Sequence, residues 1–173
     1  MADARQLEKY DADPVRRRGS HLPGQRIPDP ADLRPPAANG DISLPEGATA
    51  SEQVAWSTTR EGPYMSTPIV YQGYLYSCAY NGVLACLRAA TGERLYETRI
   101  GGEASTYSAS PVAAAGHVYF TNEDGETFVI KASPHYELVS RNRMGEVCMA
   151  TPALAGNRIF IRTQSQLYAI GGK

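Results

Sequence analysis

Apolar and polar residues alternate along the chain from Val54 onward, which is the pattern of half-buried β-strands. Aromatic and β-branched residues alternate with small or polar ones, and turn residues recur about every ten positions. No window keeps a helical period. The alternation predicts eleven strands, near residues 67–71, 74–80, 83–89, 94–100, 110–114, 117–123, 127–132, 137–143, 151–155, 158–163 and 166–170.

The same pattern repeats three times. The repeats begin at Thr67, Ser110 and Thr151, each followed by proline, with spacings of 43 and 41 residues. An aromatic residue stands nine positions after each start, as Tyr76, Tyr119 and Phe160. A turn containing glycine precedes this aromatic residue, and a second turn follows it. Because three segments match in register, the repeat defines the architecture.

Each full repeat contains four predicted antiparallel strands. A unit of about 40–45 residues with four strands is typical of a propeller blade. One such sheet cannot bury both of its faces, so blades stack side by side. We therefore predict an all-β partial β-propeller over residues 41–173. Its blades cover about 67–102, 110–146 and 151–173, and a lone strand at 54–59 precedes them.

Residues 1–40 have a different character. The first 50 residues hold seven of the twelve prolines, fifteen charged residues and a single aromatic, Tyr10. Such a segment buries too little apolar surface to offset the entropy of ordering it. We predict a disordered or extended tail over residues 1–40.

Overall charge and hydropathy narrow the classes of partner. The formal net charge is −1, which gives no general attraction to nucleic acid or to an anionic membrane surface. No apolar run approaches the length of a membrane span, and no signal peptide is visible within the chain. These features do not assign a compartment.

Two of the three cysteines flank the predicted Asn81-Gly82 turn. A two-residue hairpin loop would place Cys78 opposite Ala85 and Ser77 opposite Cys86. Because side chains alternate between faces, Cys78 and Cys86 would then point to opposite sides of the sheet, and no disulfide is expected. No Cys/His spacing resembles a zinc site.

The repeat resembles that of the PQQ-like β-propeller family, which includes quinoprotein dehydrogenases and a lipoprotein that assists outer-membrane β-barrel assembly. The first repeat carries the pattern from Thr67-Pro68 through Gly73, Tyr76 and Asn81-Gly82 to Ala90–Tyr96. Trp56 resembles the tryptophan of a preceding blade's outer strand. Asp41–Gly47 is similar to a connection between the third and fourth strands of such blades.

The resemblance implies a larger ring, because propellers close with about four to eight blades. It therefore implies that this chain forms the C-terminal three blades, approximately, of a longer bacterial propeller, or an incomplete product. The family is usually periplasmic or extracytoplasmic. The chain departs from the pattern where Tyr96 and Val139 stand in place of the usual tryptophan.

The sequence offers no catalytic, cofactor-binding or metal-binding residues. The acidic run Glu123–Glu126 falls on a turn, where solvated side chains are expected, and His117 and His135 are expected at surface positions. Tyr64, Tyr107 and Met149 precede the repeat starts. There they would either line the rim of a central channel, where propellers often bind, or pack between neighbouring blades.

Two functions remain open. The first is a non-enzymatic module that binds a protein or serves as an assembly scaffold. The alternative is a fragment of a quinoprotein oxidoreductase whose cofactor site lies in missing blades. Three blades would expose apolar sheet faces, so self-association is also expected, with a dimer completing the propeller through the 54–59 strand.

Overall fold

The computed structural model describes residues 41–59 and 62–171, and the tail predicted over residues 1–40 lies outside this part. The described residues form eleven strands and no helix. Consequently no helix of the described residues could cross a membrane. Each of the eleven predicted strands is confirmed within a few residues at each end, so the all-β prediction is correct.

The first two sheets have the same four-stranded antiparallel order. The first sheet runs β1-β2-β3-β4, and the second runs β5-β6-β7-β8. The strands of the first are Ile69–Tyr71, Tyr74–Cys78, Val83–Arg88 and Arg94–Arg99; those of the second are Val112–Ala114, His117–Thr121, Glu126–Lys131 and Leu138–Arg143.

The third sheet has three strands, in the order β11-β10-β9. They are Ala153–Ala155, Arg158–Arg162 and Leu167–Ile170, numbered β9 to β11 in chain order. The first strands of the three sheets lie side by side, since β1 contacts β5 and β5 contacts β9. This is the arrangement of inner strands around a propeller axis.

The main core lies between the first and second sheets. Alternate residues of β2 and β3 share one face with alternate residues of β6 and β7, because side chains alternate along a strand. This cluster contains Tyr76, Cys78, Leu84, Cys86, Ile100, Tyr107, Val118, Phe120, Phe128 and Ile130. Two sheets thus bury their facing sides against each other, as consecutive blades do.

The hairpin register predicted for the first sheet is wrong by one residue. The Ala79 amide bonds to the Val83 carbonyl at 2.8 Å, so the loop holds three residues and ends in Gly82 at φ 80°. A three-residue loop with a left-handed final residue is the next most common hairpin after two-residue loops. Cys78 therefore pairs with Leu84, and Cys86 pairs with Tyr76.

This register also corrects the placement of the two cysteines, which lie on the same face of the sheet rather than on opposite faces. They are diagonal neighbours, about 7–8 Å apart by the usual geometry, which is beyond the reach of a disulfide. Both thiols are free and buried. Burial raises the pKa of Cys78 to about 12, so it stays an unreactive thiol.

The lone strand expected at residues 54–59 is not formed. The Ser51 amide bonds to the Val54 carbonyl at 2.8 Å, which turns the chain, and no strand pairs with this segment. Trp56 instead donates its indole N–H to the Ala89 carbonyl at 2.9 Å. A Cβ at Gly92 would lie 2.6 Å from the indole ring, so the ring rests directly on the turn between β3 and β4.

Candidate functional site

One end of the sheets is built from two kinds of segment. The first kind is the turn between the second and third strands of each sheet. The second is the segment that leads into the first strand of each sheet, and we call these segments link 1 (residues 62–68), link 2 (residues 100–111) and link 3 (residues 144–152). We call this end of the molecule the link end.

The links run across the turns and bond to them in the same way in successive sheets. The Ile100 amide bonds to the Gly82 carbonyl at 2.9 Å, and the Tyr107 amide bonds to the Tyr80 carbonyl at 2.9 Å. In the second sheet, Met144 bonds to Gly125 at 2.8 Å, and Cys148 bonds to Glu123 at 3.2 Å. Links 2 and 3 are therefore held to the turns by backbone hydrogen bonds.

The residues that start the three repeats are joined to one another. The Thr67 amide donates to the Ser110 hydroxyl oxygen at 2.8 Å, and the Ser110 amide donates to the Thr151 hydroxyl oxygen at 3.0 Å. Each hydroxyl thus caps the inner strand of the preceding sheet. This explains why the repeats begin with threonine or serine, and it fixes neighbouring inner strands side by side.

The structure separates the three residues expected at the channel rim. Tyr64 is 89% exposed and Met149 is 58% exposed, both in links at this end. Tyr107 is only 1% exposed and packs against Gly82 and the ring of Phe128. For Tyr107 the rim position is therefore wrong, and its role is to pack between the first and second sheets.

Sequence reasoning missed two exposed apolar residues of the links. Met65 is 56% exposed, and Val147 is also exposed. Met65 stands two residues before Thr67, as Met149 stands two residues before Thr151, and Ser108 has the same position before Ser110. The repeat offset was the signal that could have identified Met65.

Three carboxylates lie among these segments. Glu123 accepts hydrogen bonds from the hydroxyls of Thr106, at 2.8 Å, and Ser108. The Ser108 hydroxyl oxygen also lies 3.9 Å from the sulfur of Met65. Asp124 accepts a bond at 3.3 Å from the hydroxyl of Ser105. Of the turn residues expected to be solvated, Asp124 is exposed, whereas Glu123 is held by link 2.

Glu146 joins link 3 to the third sheet. It accepts hydrogen bonds from the Thr163 hydroxyl at 2.6 Å, the Ser165 hydroxyl at 2.7 Å and the Ser165 amide at 3.1 Å. The Thr163 hydroxyl, followed by the two Ser165 donors, lowers the pKa of Glu146 below its ordinary value. Glu146 thus remains ionised at neutral pH.

The fourth acidic residue of the run, Glu126, is the first residue of β7 and is buried. Arg141 bonds to its carboxylate at 2.6 and 2.7 Å, and Arg143 at 2.5 Å. Burial raises the pKa of Glu126, but the two guanidinium groups outweigh this effect, so the pKa lies below its usual value. The expected solvated position is therefore wrong for Glu126.

A shallow cleft of about 470 Å³ opens beside this ion-pair cluster. Its lining includes Ser105, Asp124, Glu126, Arg141 and Arg143. Two arginines face two carboxylates there, so the formal charges balance. Since Glu126 engages both guanidinium groups, the cluster fastens the outer strand β8 to β7.

Within residues 41–59 and 62–171, no three His, Cys, Asp or Glu side chains are placed to hold a metal ion together. The exposed apolar side chains of links 1 and 3 are those of Tyr64, Met65, Val147 and Met149, at the same end of the sheets as Glu123 and Glu146.

The fold and the repeating link contacts define consecutive blades of a β-propeller with PQQ-like repeats. A family model described as "Outer membrane protein assembly factor BamB" matches residues 39–135, more than half of the chain. The chain belongs to this PQQ-like family, as the resemblance of the repeats predicted.

Three solved structures are similar to the chain. A europium-containing methanol dehydrogenase aligns at 14% identity and a TM-score of 0.40, over 49% of this chain and 15% of that one. The computationally designed Ika8 protein aligns at 15% identity and a TM-score of 0.48, over 60% and 32%. The quinohemoprotein alcohol dehydrogenase ADHIIG from Pseudomonas putida HK5 aligns at 16% identity and a TM-score of 0.48, over 56% and 20%.

The chain spans about a third or less of the length of each of these structures. At this low level of similarity, the three structures do not indicate what the chain binds or does. No curated protein matches the chain in sequence.

Proposed function

We propose that the chain is a non-enzymatic module that binds a protein partner, or serves as an assembly scaffold, through its link end. The observation that carries this proposal is the exposure of Tyr64, Met65 and Met149 at one end of the sheets. Side-chain hydrogen bonds of Ser66 and Ser110 hold link 1 there, and backbone hydrogen bonds hold link 3. Exposed apolar patches on a rigid framework are typical of protein-interaction surfaces. The description of the family as an outer-membrane protein assembly factor supports the same role.

Site-specific photo-crosslinking in cells tests this proposal. A benzophenone amino acid replaces Tyr64 or Met149 in the full chain, and a matched control carries it at Val139, which is exposed on β8. We expect discrete adducts with the same partner from both link positions and none from Val139. Absence of adducts at the link end, or equal adducts at Val139, would refute the proposal.

The alternative, a fragment of a quinoprotein oxidoreductase, makes a different prediction. Such a fragment would take up pyrroloquinoline quinone together with Ca²⁺ once the missing blades were supplied. We expect the chain itself to bind quinone no more tightly than about 10 μM, which corresponds to roughly −7 kcal/mol. A quinone absorbance band that co-elutes, in the presence of Ca²⁺, with a protein in which further blades are joined to this chain would favour the alternative.

We also propose that the chain self-associates, through strand β11 and not through the segment at residues 54–59 that the sequence suggested. Strand β11 has the sequence Leu-Tyr-Ala-Ile and is an edge of its sheet. The outer strand β4 carries arginine and glutamate side chains, and the outer strand β8 carries arginines. Charged residues on an edge strand oppose pairing with another chain. An uncharged edge on β11 therefore supports association there, while Trp56 holds residues near 54–59 on their own chain.

A further inference from the structure

Segments that carry two methionines and a glutamate are connected to one another across the link end. The Ser108 hydroxyl donates to Glu123, and its oxygen lies 3.9 Å from the sulfur of Met65. On the other side, the Glu123 carbonyl accepts the amide of Cys148, the residue before Met149. We call Met65, Ser108, Glu123 and Met149 the Met–Glu arc.

The apolar side chains of the arc can adapt to partner side chains of different shapes. Met65 and Met149 expose more than half of their surface, although methionine is usually buried. Methionine side chains are flexible and polarisable, and they are used at surfaces that accept varied apolar partners. Tyr64, next to Met65 in link 1, and Val147, in link 3 with Met149, are also exposed.

The charge of the arc and its surroundings is negative. Glu123 and Glu146 have hydroxyl groups or backbone amides as hydrogen-bond donors, and no ion pair among the described residues includes them. Link 3 also keeps Glu146 near the second turn, because a Cβ at Gly125 would lie 2.0 Å from the Glu146 carbonyl oxygen. A partner that brings positive charge would therefore be favoured here.

We infer that the Met–Glu arc binds a segment of a partner protein in which lysine or arginine stands next to apolar side chains. This inference rests on the proposed protein-binding function and names the chemistry of its partner. A lysine or arginine stem can cover methionine with its methylene groups while its charged end reaches Glu123. The neighbouring apolar side chain then lies on the second methionine.

A set of three fluorescein-labelled peptides tests the inference by fluorescence anisotropy with the full chain. In the first peptide lysine and leucine alternate, in the second glutamate replaces lysine, and in the third serine replaces leucine. We expect the Lys–Leu peptide to bind more tightly than both others, and its affinity to fall as salt is added, because screening weakens surface charge pairs. Equal binding of all three peptides would overturn the inference.

Variants locate the binding site. Glu123→Gln should raise the Kd of the Lys–Leu peptide by up to about fivefold, which is the range expected for the loss of one exposed charge pair. The double variant Met65→Gln, Met149→Gln should weaken it by about tenfold through lost apolar contact. The matched controls Glu137→Gln and Leu138→Gln replace exposed residues of the same types near and on β8, and should leave binding unchanged.

Thermal unfolding of each variant shows whether the fold is intact. If Glu123→Gln destabilises the turn before β7, the methionine variant still tests the site, because both methionines are exposed. Unchanged binding in the methionine variant, or equal losses in the controls, would overturn the inference. If crosslinks at Tyr64 and Met149 still form in that case, the protein-binding function stands and only the partner chemistry is wrong.

Discussion

Gly125 shows how a single position combines two constraints. It closes a three-residue turn at φ 77°, a conformation that costs a residue with a Cβ about 1–2 kcal/mol. It also faces the Glu146 carbonyl oxygen so closely that a Cβ would lie 2.0 Å away. Gly116 shares the first constraint at φ 77°, but nothing lies within 4 Å of its Cβ position.

We predict that Gly125→Ala destabilises the chain by at least about 2 kcal/mol more than Gly116→Ala, because a clash with backbone atoms adds to the conformational cost. Urea denaturation followed by circular dichroism measures both free energies of unfolding. An equal loss in the two variants would mean that link 3 does not lie against the turn.

Glu126 gives a pH-dependent prediction. Its folded pKa lies below the unfolded value, so its ionised form stabilises the fold at neutral pH. That contribution is lost as the pH falls through about 4.3, the ordinary value, toward the folded pKa. We expect Glu126→Gln to cost about 1–2 kcal/mol at neutral pH, since a charge-assisted bond to each arginine is weakened.

Urea denaturation at a series of pH values measures this difference. The gap in unfolding free energy between the natural chain and Glu126→Gln should shrink as the pH falls below about 4. Glu137→Gln, which alters an exposed ion pair with Lys131, is the control and should change little at any pH. A gap that stays constant with pH would contradict the role assigned to Glu126.

At the scale of elements, the repeat predicted all eleven strands because strand alternation and turn residues are local features of the sequence. Hairpin register was harder, since Asn81-Gly82 fits a two-residue loop as well as the end of a three-residue loop. The structure adopts the longer loop there and again before β7, where the Asn122 amide bonds to the Glu126 carbonyl. The third sheet has a two-residue loop, because Thr163 bonds to Gln166.

The uncharged edge of β11 gives a prediction about association. Leu167 is 73% exposed on that strand, and we expect Leu167→Lys to reduce self-association, because a lysine on an edge strand opposes pairing with another chain. The control Val139→Lys adds charge to β8, which already carries Arg141 and Arg143, and should have no effect.

Sedimentation velocity over a range of protein concentrations measures this association. The natural chain should increase in average mass above 18.7 kDa as concentration rises, and Leu167→Lys should stay near that mass. A natural chain that remains monomeric throughout, or an equal effect of both lysines, would show that β11 is not the site of association.

At the scale of the whole molecule, the links were the part that the sequence revealed least. Tyr64 and Met149 could be placed near the end of the sheets from the repeat offset alone. The burial of Tyr107, the bonds of Glu146 to Ser165 and the contact of Ser108 with Met65 join residues 19 to 43 positions apart or depend on neighbouring sheets. Such contacts arise from blade packing, which strand alternation does not specify.

The central claim is that links 2 and 3 are fixed parts of consecutive blades and so make the link end rigid. Hydrogen exchange of the chain, resolved to single amides, tests this claim most directly. We predict that the amides of Tyr107, Ser110, Met144 and Cys148 exchange as slowly as those of β2, because each bonds to a turn or to a neighbouring sheet. Exchange of these four amides at the rate of an unstructured peptide, while β2 stays protected, would contradict the account.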